Sequence, residues 1–172
     1  MQYLVGENVV HPAHGAGEIV GADEQESTDD SKKYCVIFFP DRKLKIRIPL
    51  SRIEDVGLRG IMSSSTYRQI LDMLAEAPKL LPQDFKERRE MLQSIVSSGY
   101  PTKVAAAIRD LTWRSHNKPL NRSDAEMLSE ARHRLVQEMA LATGKDIPDI
   151  NKVVDHALEV SVEAEKEATV DA

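Results

Sequence analysis

The chain has 172 residues, of which 41% are hydrophobic and 30% charged, with one cysteine and a formal net charge of −5. This length allows one domain or two small ones, and the sequence has no run near 18 apolar residues that could cross a membrane as a helix. A lone cysteine excludes an internal disulfide, and the acidic balance excludes a free-standing nucleic-acid binder, which would need a strongly basic surface to neutralise phosphates.

The first sixty residues read as a small β module. Short β-rich runs cover Asn8–Pro12, His14–Val20, Lys33–Phe39 and Leu44–Pro49, punctuated by glycine, proline and acidic stretches. Tyr34, Val36 and Phe38 alternate with Cys35, Ile37 and Phe39, so both faces of that strand are apolar and a central position is expected. Leu44, Ile46 and Ile48 alternate with Lys45 and Arg47, which predicts one buried face and one exposed basic face. Gly15, Gly17 and Gly21 bracket a strand expected to bend sharply. The polar run Asp23–Ser31 is expected to form a long hairpin tip. Four or five short strands in so few residues fit a Tudor- or SH3-like small β-barrel.

The rest is patterned for helices. Tyr67, Ile70, Leu71 and Leu74 fall at i, i+3, i+4 and i+7, and Pro78 and Pro82 end that helix. Asp84 with Glu87 makes a capping box for a second, whose apolar stripe is Met91, Leu92, Ile95 and Val96. Gly99 closes it and Pro101 opens a third, carrying Val104, Ile108 and Leu111, with Trp113 expected in the core near its end. Ser123 and Glu126 form another capping box, ahead of Met127, Leu128, Ala131, Leu135 and Met139, and Gly144 stops that helix. Asp146 and Pro148 begin the last one, with Ile150, Val153, Val154, Ala157 and Leu158 on one face. The fold class is therefore α+β: a small barrel over residues 1–58, a helical bundle over 61–162, a joint at Val56–Gly60, and an acidic tail over 163–172 expected to fray.

Charge is distributed unevenly. Residues 1–60 carry 8 basic and 10 acidic side chains, residues 61–145 carry 13 and 10, and residues 146–172 carry 2 and 8. Any DNA contact is thus confined to the middle helices and helped by a protein partner.

No residue set points to catalysis, a metal or a cofactor. His11 and His14 form an H-x-x-H pair on a strand turn without a third ligand nearby, which is a structural pattern. Cys35 in an apolar strand reads as an inert buried thiol. Gly15-Ala16-Gly17 lacks the third glycine and following helix of a dinucleotide fingerprint, and Ser63-Ser64-Ser65 is a loop or helix start rather than a nucleophile elbow. A small enzyme built on the bundle would need converging Asp, His and Arg groups. The N-terminal residues lack the pattern of a secretory signal, and a cytoplasmic home is expected.

Five segments carry a family resemblance in register. Glu7–Gly17 (ENVVHPAHGAG) resembles the GD-x-V-V-Y-P-x-H-G-x-G opening of the CarD/CdnL transcription regulators. Ile46–Pro49 is similar to their R-V-P strand, Val56–Arg59 to their V-G-[LV]-R junction, Ile108–Leu111 to V-R-D-L, and Leu128–Arg132 to L-x-x-A-R. The resemblance implies that the N-terminal domain binds the RNA polymerase β subunit, with Lys45, Arg47, Ile48, Pro49 and Gln25 as docking residues. It also implies that the helical domain meets promoter DNA at the upstream edge of the melted bubble, within the polymerase complex only, and stabilises the open complex. No small-molecule substrate and no membrane are implied.

The chain departs from the pattern at three positions. Gln25 stands where many members carry a basic residue, and His11 where tyrosine is usual. Phe85 stands where the family places a tryptophan wedged into the minor groove. Phe85 is either an apolar wedge or a ring packed on the preceding loop, and Lys86, Arg88 and Arg89 beside it are either phosphate contacts or a solvated face. Glu87 and Glu90 set negative charge alongside. The alternative reading is a polymerase-binding protein that acts through protein contacts alone.

Overall fold

The computed structural model of the chain describes residues 3–25 and 32–170, which fall into two compact units, Met1–Ile61 and Met62–Ala172. The first unit is a five-stranded antiparallel sheet of β1 (Asn8–His11), β2 (Gly15–Gln25), β3 (Lys32–Phe39), β4 (Leu44–Pro49) and β5 (Arg59–Gly60), in the order β4-β3-β2-β1-β5. Hydrophobic alternation sets its register. Cys35 faces Ile48, Ile37 faces both Ile46 and Ile19, and Phe39 faces Leu44, so these side chains share one face. With Val9, Ile53 and Leu58 they form the core, in which Ile37 and Phe39 are fully enclosed. Each such side chain removed from water stabilises the fold by about 1.5–3 kcal/mol.

The expected barrel is not closed. The sheet is open, with β4 and β5 at its two edges and no pairing between them among the described residues. β2 runs further than the pattern indicated, taking in Asp23, Glu24 and Gln25, and residues 26–31 of the expected hairpin tip lie outside the described residues. The register shifts between Ile19 and Gly21, next to one of the glycines at which a bend was expected. Gly17 has a separate steric role: a Cβ there would lie 2.7 Å from the Phe39 ring and 2.9 Å from the Phe38 carbonyl oxygen. The segment expected to join the two domains belongs to the sheet unit, because Leu58 is buried, its carbonyl accepts a hydrogen bond from the Tyr3 hydroxyl, and Arg59–Gly60 pairs with β1.

The second unit contains five helices: α1 (Ser64–Ala75), α2 (Phe85–Ser97), α3 (Pro101–Asn117), α4 (Arg122–Thr143) and α5 (Ile147–Val170). Local signals set most of their ends. The Ser63 hydroxyl accepts from Thr66 N at 3.1 Å and Asp84 from Glu87 N at 2.9 Å, while Pro101 occupies the first turn of α3. Gly144 ends α4 at φ +67°, a left-handed conformation that favours glycine. Two boundaries differ from expectation. Asn121, not Ser123, caps α4 by accepting from Asp124 N, and the acidic segment from Glu163 continues as helix to Val170.

The main core of this unit joins Ile70 and Leu74 of α1, Ile108 of α3, Leu135 and Met139 of α4, and Ile150 and Val154 of α5. Leu92 of α2 instead enters a smaller cluster with Leu81, Ala107 and Leu111. The expected α2 stripe is rotated relative to this contact: Met91 is exposed, and Arg88, four residues before Leu92, is buried in its place.

Candidate functional site

The candidate residues lie on two surfaces, one in each unit. In the sheet unit, β4 is an edge strand, paired among the described residues with β3 and no other strand, so one row of its main-chain donors and acceptors faces away from the sheet. Its alternation places Lys45 and Arg47 on the exposed face, opposite Phe38 and Val36 of β3. The Arg47 guanidinium carbon lies 5.0 Å from the centroid of the Tyr34 ring, which orients the charge over an aromatic face.

The other docking candidates on this unit are placed differently. Ile48 is only 4% exposed and belongs to the core, so its side chain is not a surface contact and only its main chain lies at the strand edge. Pro49, half-buried, ends the strand opposite Tyr34 and has no N–H to donate. Gln25 ends β2 opposite Lys32, and its side chain lies outside the described residues.

The histidines and the cysteine pack rather than present chemistry. The rings of His11 and His14 lie 4.6 Å apart, His14 sits 5.4 Å from Phe39, and His11 Nδ1 accepts from Ala13 N. Cys35 is buried in the sheet core, and this burial pushes its thiol pKa up, away from the reactive thiolate.

In the helical unit the Asp84 cap starts α2 at Phe85, so this ring sits at the helix N-terminus. It is 45% exposed, and Lys86 and Arg89 are exposed beside it. Phe85 is therefore a surface ring rather than a core one. Arg88 is not part of the exposed cationic group. At 3% exposure, its Nε donates to Asp124 Oδ2 at 2.9 Å and its Nη1 donates to the carbonyls of Pro82 and Gln83 at 2.8 and 3.0 Å. The guanidinium thus ties the loop before α2 to the start of α4, and it stands 6.0 Å from the Phe85 ring centroid. Asn121 completes this node by donating to the same Asp124 oxygen at 2.9 Å.

A second buried ionic node lies in the Ile108–Leu111 segment, which stood in the sequence only as a family motif. Arg109 is enclosed and donates to Asp110 Oδ1 at 2.8 Å, to the Met73 carbonyl at 3.1 Å and to Glu76 at 3.2 Å. Asp110 Oδ1 also accepts from Lys79 N at 2.9 Å. Adjacent Arg and Asp in the third helix thereby satisfy the end of α1 and fix the loop that leads to α2. The signal for Arg88 was its spacing: four residues before Leu92, it shares the buried face. Trp113, expected in the core, is half-buried near the end of α3 and lines a surface cleft.

Comparison with known proteins agrees with this two-unit layout. The model of the CarD-like/TRCF RID domain matches residues 3–62, and that of the CarD C-terminal domain matches residues 69–155. The chain is also similar to a Bacillus subtilis (strain 168) protein named "Putative transcription factor YdeB", with 28% identity over 144 residues, covering 83% of this chain and 93% of that protein.

Proposed function

Because the chain belongs to the CarD family of transcription regulators, we propose that it binds RNA polymerase through edge strand β4 and modulates the stability of the promoter open complex. The observation that carries this reading is the edge position itself: β4 ends the strand order of the sheet, with Lys45 and Arg47 exposed and Arg47 held over Tyr34. Strand addition from the β subunit would supply main-chain hydrogen bonds, and Arg47 would fix orientation by pairing with a carboxylate. The small β module is open rather than closed, and an open edge is what such an addition requires.

The Arg47→Glu variant should fold, because the position is exposed, and should lose polymerase affinity by roughly 2–5 kcal/mol if the pair is desolvated. Capture of polymerase subunits by the purified variant and parent chains measures this. Equal capture by both would remove β4 from the interface.

In the same reading Phe85, flanked by Lys86 and Arg89, meets promoter DNA at the upstream bubble edge once polymerase presents it. Partial insertion of the ring at an unstacked step would stabilise the melted state. One observation favours the alternative of protein contacts only: burial of Arg88 leaves Lys86 and Arg89 as the exposed cations next to Phe85, with Glu87 and Glu90 exposed on the same helix. Open-complex lifetimes with Phe85→Ala separate the two readings.

A further inference from the structure

Beside the loop that leads into α2, residues of α3 and of that loop enclose a cleft of about 130 Å³. It is lined by the sole tryptophan, Trp113, by Leu80 and Leu81, and by the cations Lys79, Arg114 and Lys118. Asp110 is the acidic residue in its lining, and its Oδ1 is already engaged by Arg109 Nε and Lys79 N. The cleft is therefore cationic with an aromatic and aliphatic wall. Leu80 is 87% exposed at its rim, the most exposed of the large apolar side chains of the described residues.

We infer that this cleft between the α1–α2 loop and the end of α3 is a second nucleic-acid contact, which receives one unpaired base against Trp113 and its phosphates on Lys118 and Arg114. Charge complementarity sets the class of partner, since the lining carries three cationic residues and one acidic residue, Asp110, whose Oδ1 already accepts from Arg109 Nε and Lys79 N. The aromatic wall favours a base over a plain anion, because any base can stack on such a face while its backbone follows the cations. The volume is on the scale of one planar base. Gln83, two residues before Phe85 in the chain, also lines the cleft. The inference rests on the proposed DNA-facing role of this unit and adds a second contact to it.

Because Trp113 is the only tryptophan, its emission reports the cleft directly. The full chain is titrated at low ionic strength with a single-stranded oligothymidylate of about a dozen nucleotides, a length that spans a strand-binding groove. A parallel titration uses a polyglutamate peptide of equal charge. The expected result is a saturable change in emission with the oligonucleotide at low ionic strength that is lost at physiological salt, as the acidic balance of the free chain requires. Lys118→Glu and Leu80→Asp, both at exposed positions, should each require roughly tenfold more oligonucleotide, within the range expected for losing a stacking or phosphate contact. Arg52→Glu, which makes the same charge change in the sheet unit, should leave the titration as it is. No emission change, an equal change in Lys118→Glu, or an equal response to polyglutamate would each overturn the proposal, the last by making the cleft an acidic-peptide site. The measurement uses the chain alone, so loss of polymerase capture or of an open-complex effect would not affect it.

Discussion

At the scale of single residues, the two side chains at the start of α2 have opposite duties. Arg88 is enclosed with Asp124 and two loop carbonyls, so its removal would leave a buried carboxylate without its charge partner. Arg88→Ala should cost about 3–5 kcal/mol of stability, read as a lowered urea midpoint, because breaking one half of a buried pair exposes the full desolvation penalty of the other. Phe85 is nearly half exposed, so Phe85→Ala should cost well under the ~3–5 kcal/mol typical of a core phenylalanine. In promoter complexes the same variant should shorten open-complex lifetime, and Phe85→Trp should lengthen it by covering more of the unstacked step. A large loss of stability in Phe85→Ala without a lifetime effect would defeat the wedge role. The arginine that its place beside Phe85 grouped with Lys86 and Arg89 as a candidate phosphate contact is instead a brace within the fold.

At the scale of elements, the sheet depends on one close approach. The α-carbon of Gly17 lies against Phe39, where no Cβ fits without displacing the ring or the Phe38 carbonyl. Gly17→Ala should therefore destabilise the sheet unit by roughly 1–3 kcal/mol, the usual cost of overpacking, and lower its melting temperature. An unchanged melting temperature would mean that β2 can move away from β3 at no cost. Strand β4 is on the far side of β3 from this contact, and Lys45 and Arg47, the proposed docking residues, are exposed. A defect in polymerase capture by Gly17→Ala should accordingly track unfolding, whereas the defect of Arg47→Glu should appear in a fully folded chain. In the helical unit, the buried Arg109–Asp110 node does for the α1–α2 loop what Arg88–Asp124 does for the start of α2. The loop that carries Leu80 is held at both ends by charge-assisted hydrogen bonds to its main chain and in the middle by Leu81, buried in the small apolar cluster.

At the scale of the whole molecule, charge decides autonomy. A net charge of −5, with the basic excess confined to residues 61–145, gives little counterion release on contact with a duplex. Binding of the isolated chain to duplex promoter DNA should be weak, near the ~10⁻⁴ M edge of non-specific affinity at physiological salt. Contact should become appreciable only when polymerase holds the promoter fork close, at high effective concentration. Electrophoretic mobility shifts with naked promoter and with polymerase–promoter complexes distinguish these cases, and tight binding of naked DNA would contradict the reading.

The sequence by itself determined what depends on neighbours a few residues away. The alternation in β3 and β4, the Asp84 cap, Pro101 at the start of α3 and Gly144 after α4 all act through contacts within one strand or one helical turn, so their pattern is visible in the chain. The motifs in register likewise indicated the family and the α+β order. What only the tertiary structure decided depends on partners far along the chain. Whether the sheet closes is set by β4 and β5, which lie at opposite edges rather than pairing. Whether Arg88 meets water is set by Asp124, 36 residues away, and whether Trp113 is enclosed is set by how the loop at Lys79–Leu81 crosses α3. A charged or aromatic side chain can satisfy its chemistry in solvent or in a buried partnership at similar cost, so its own position in the sequence does not choose between them; the partner brought to it by the fold does.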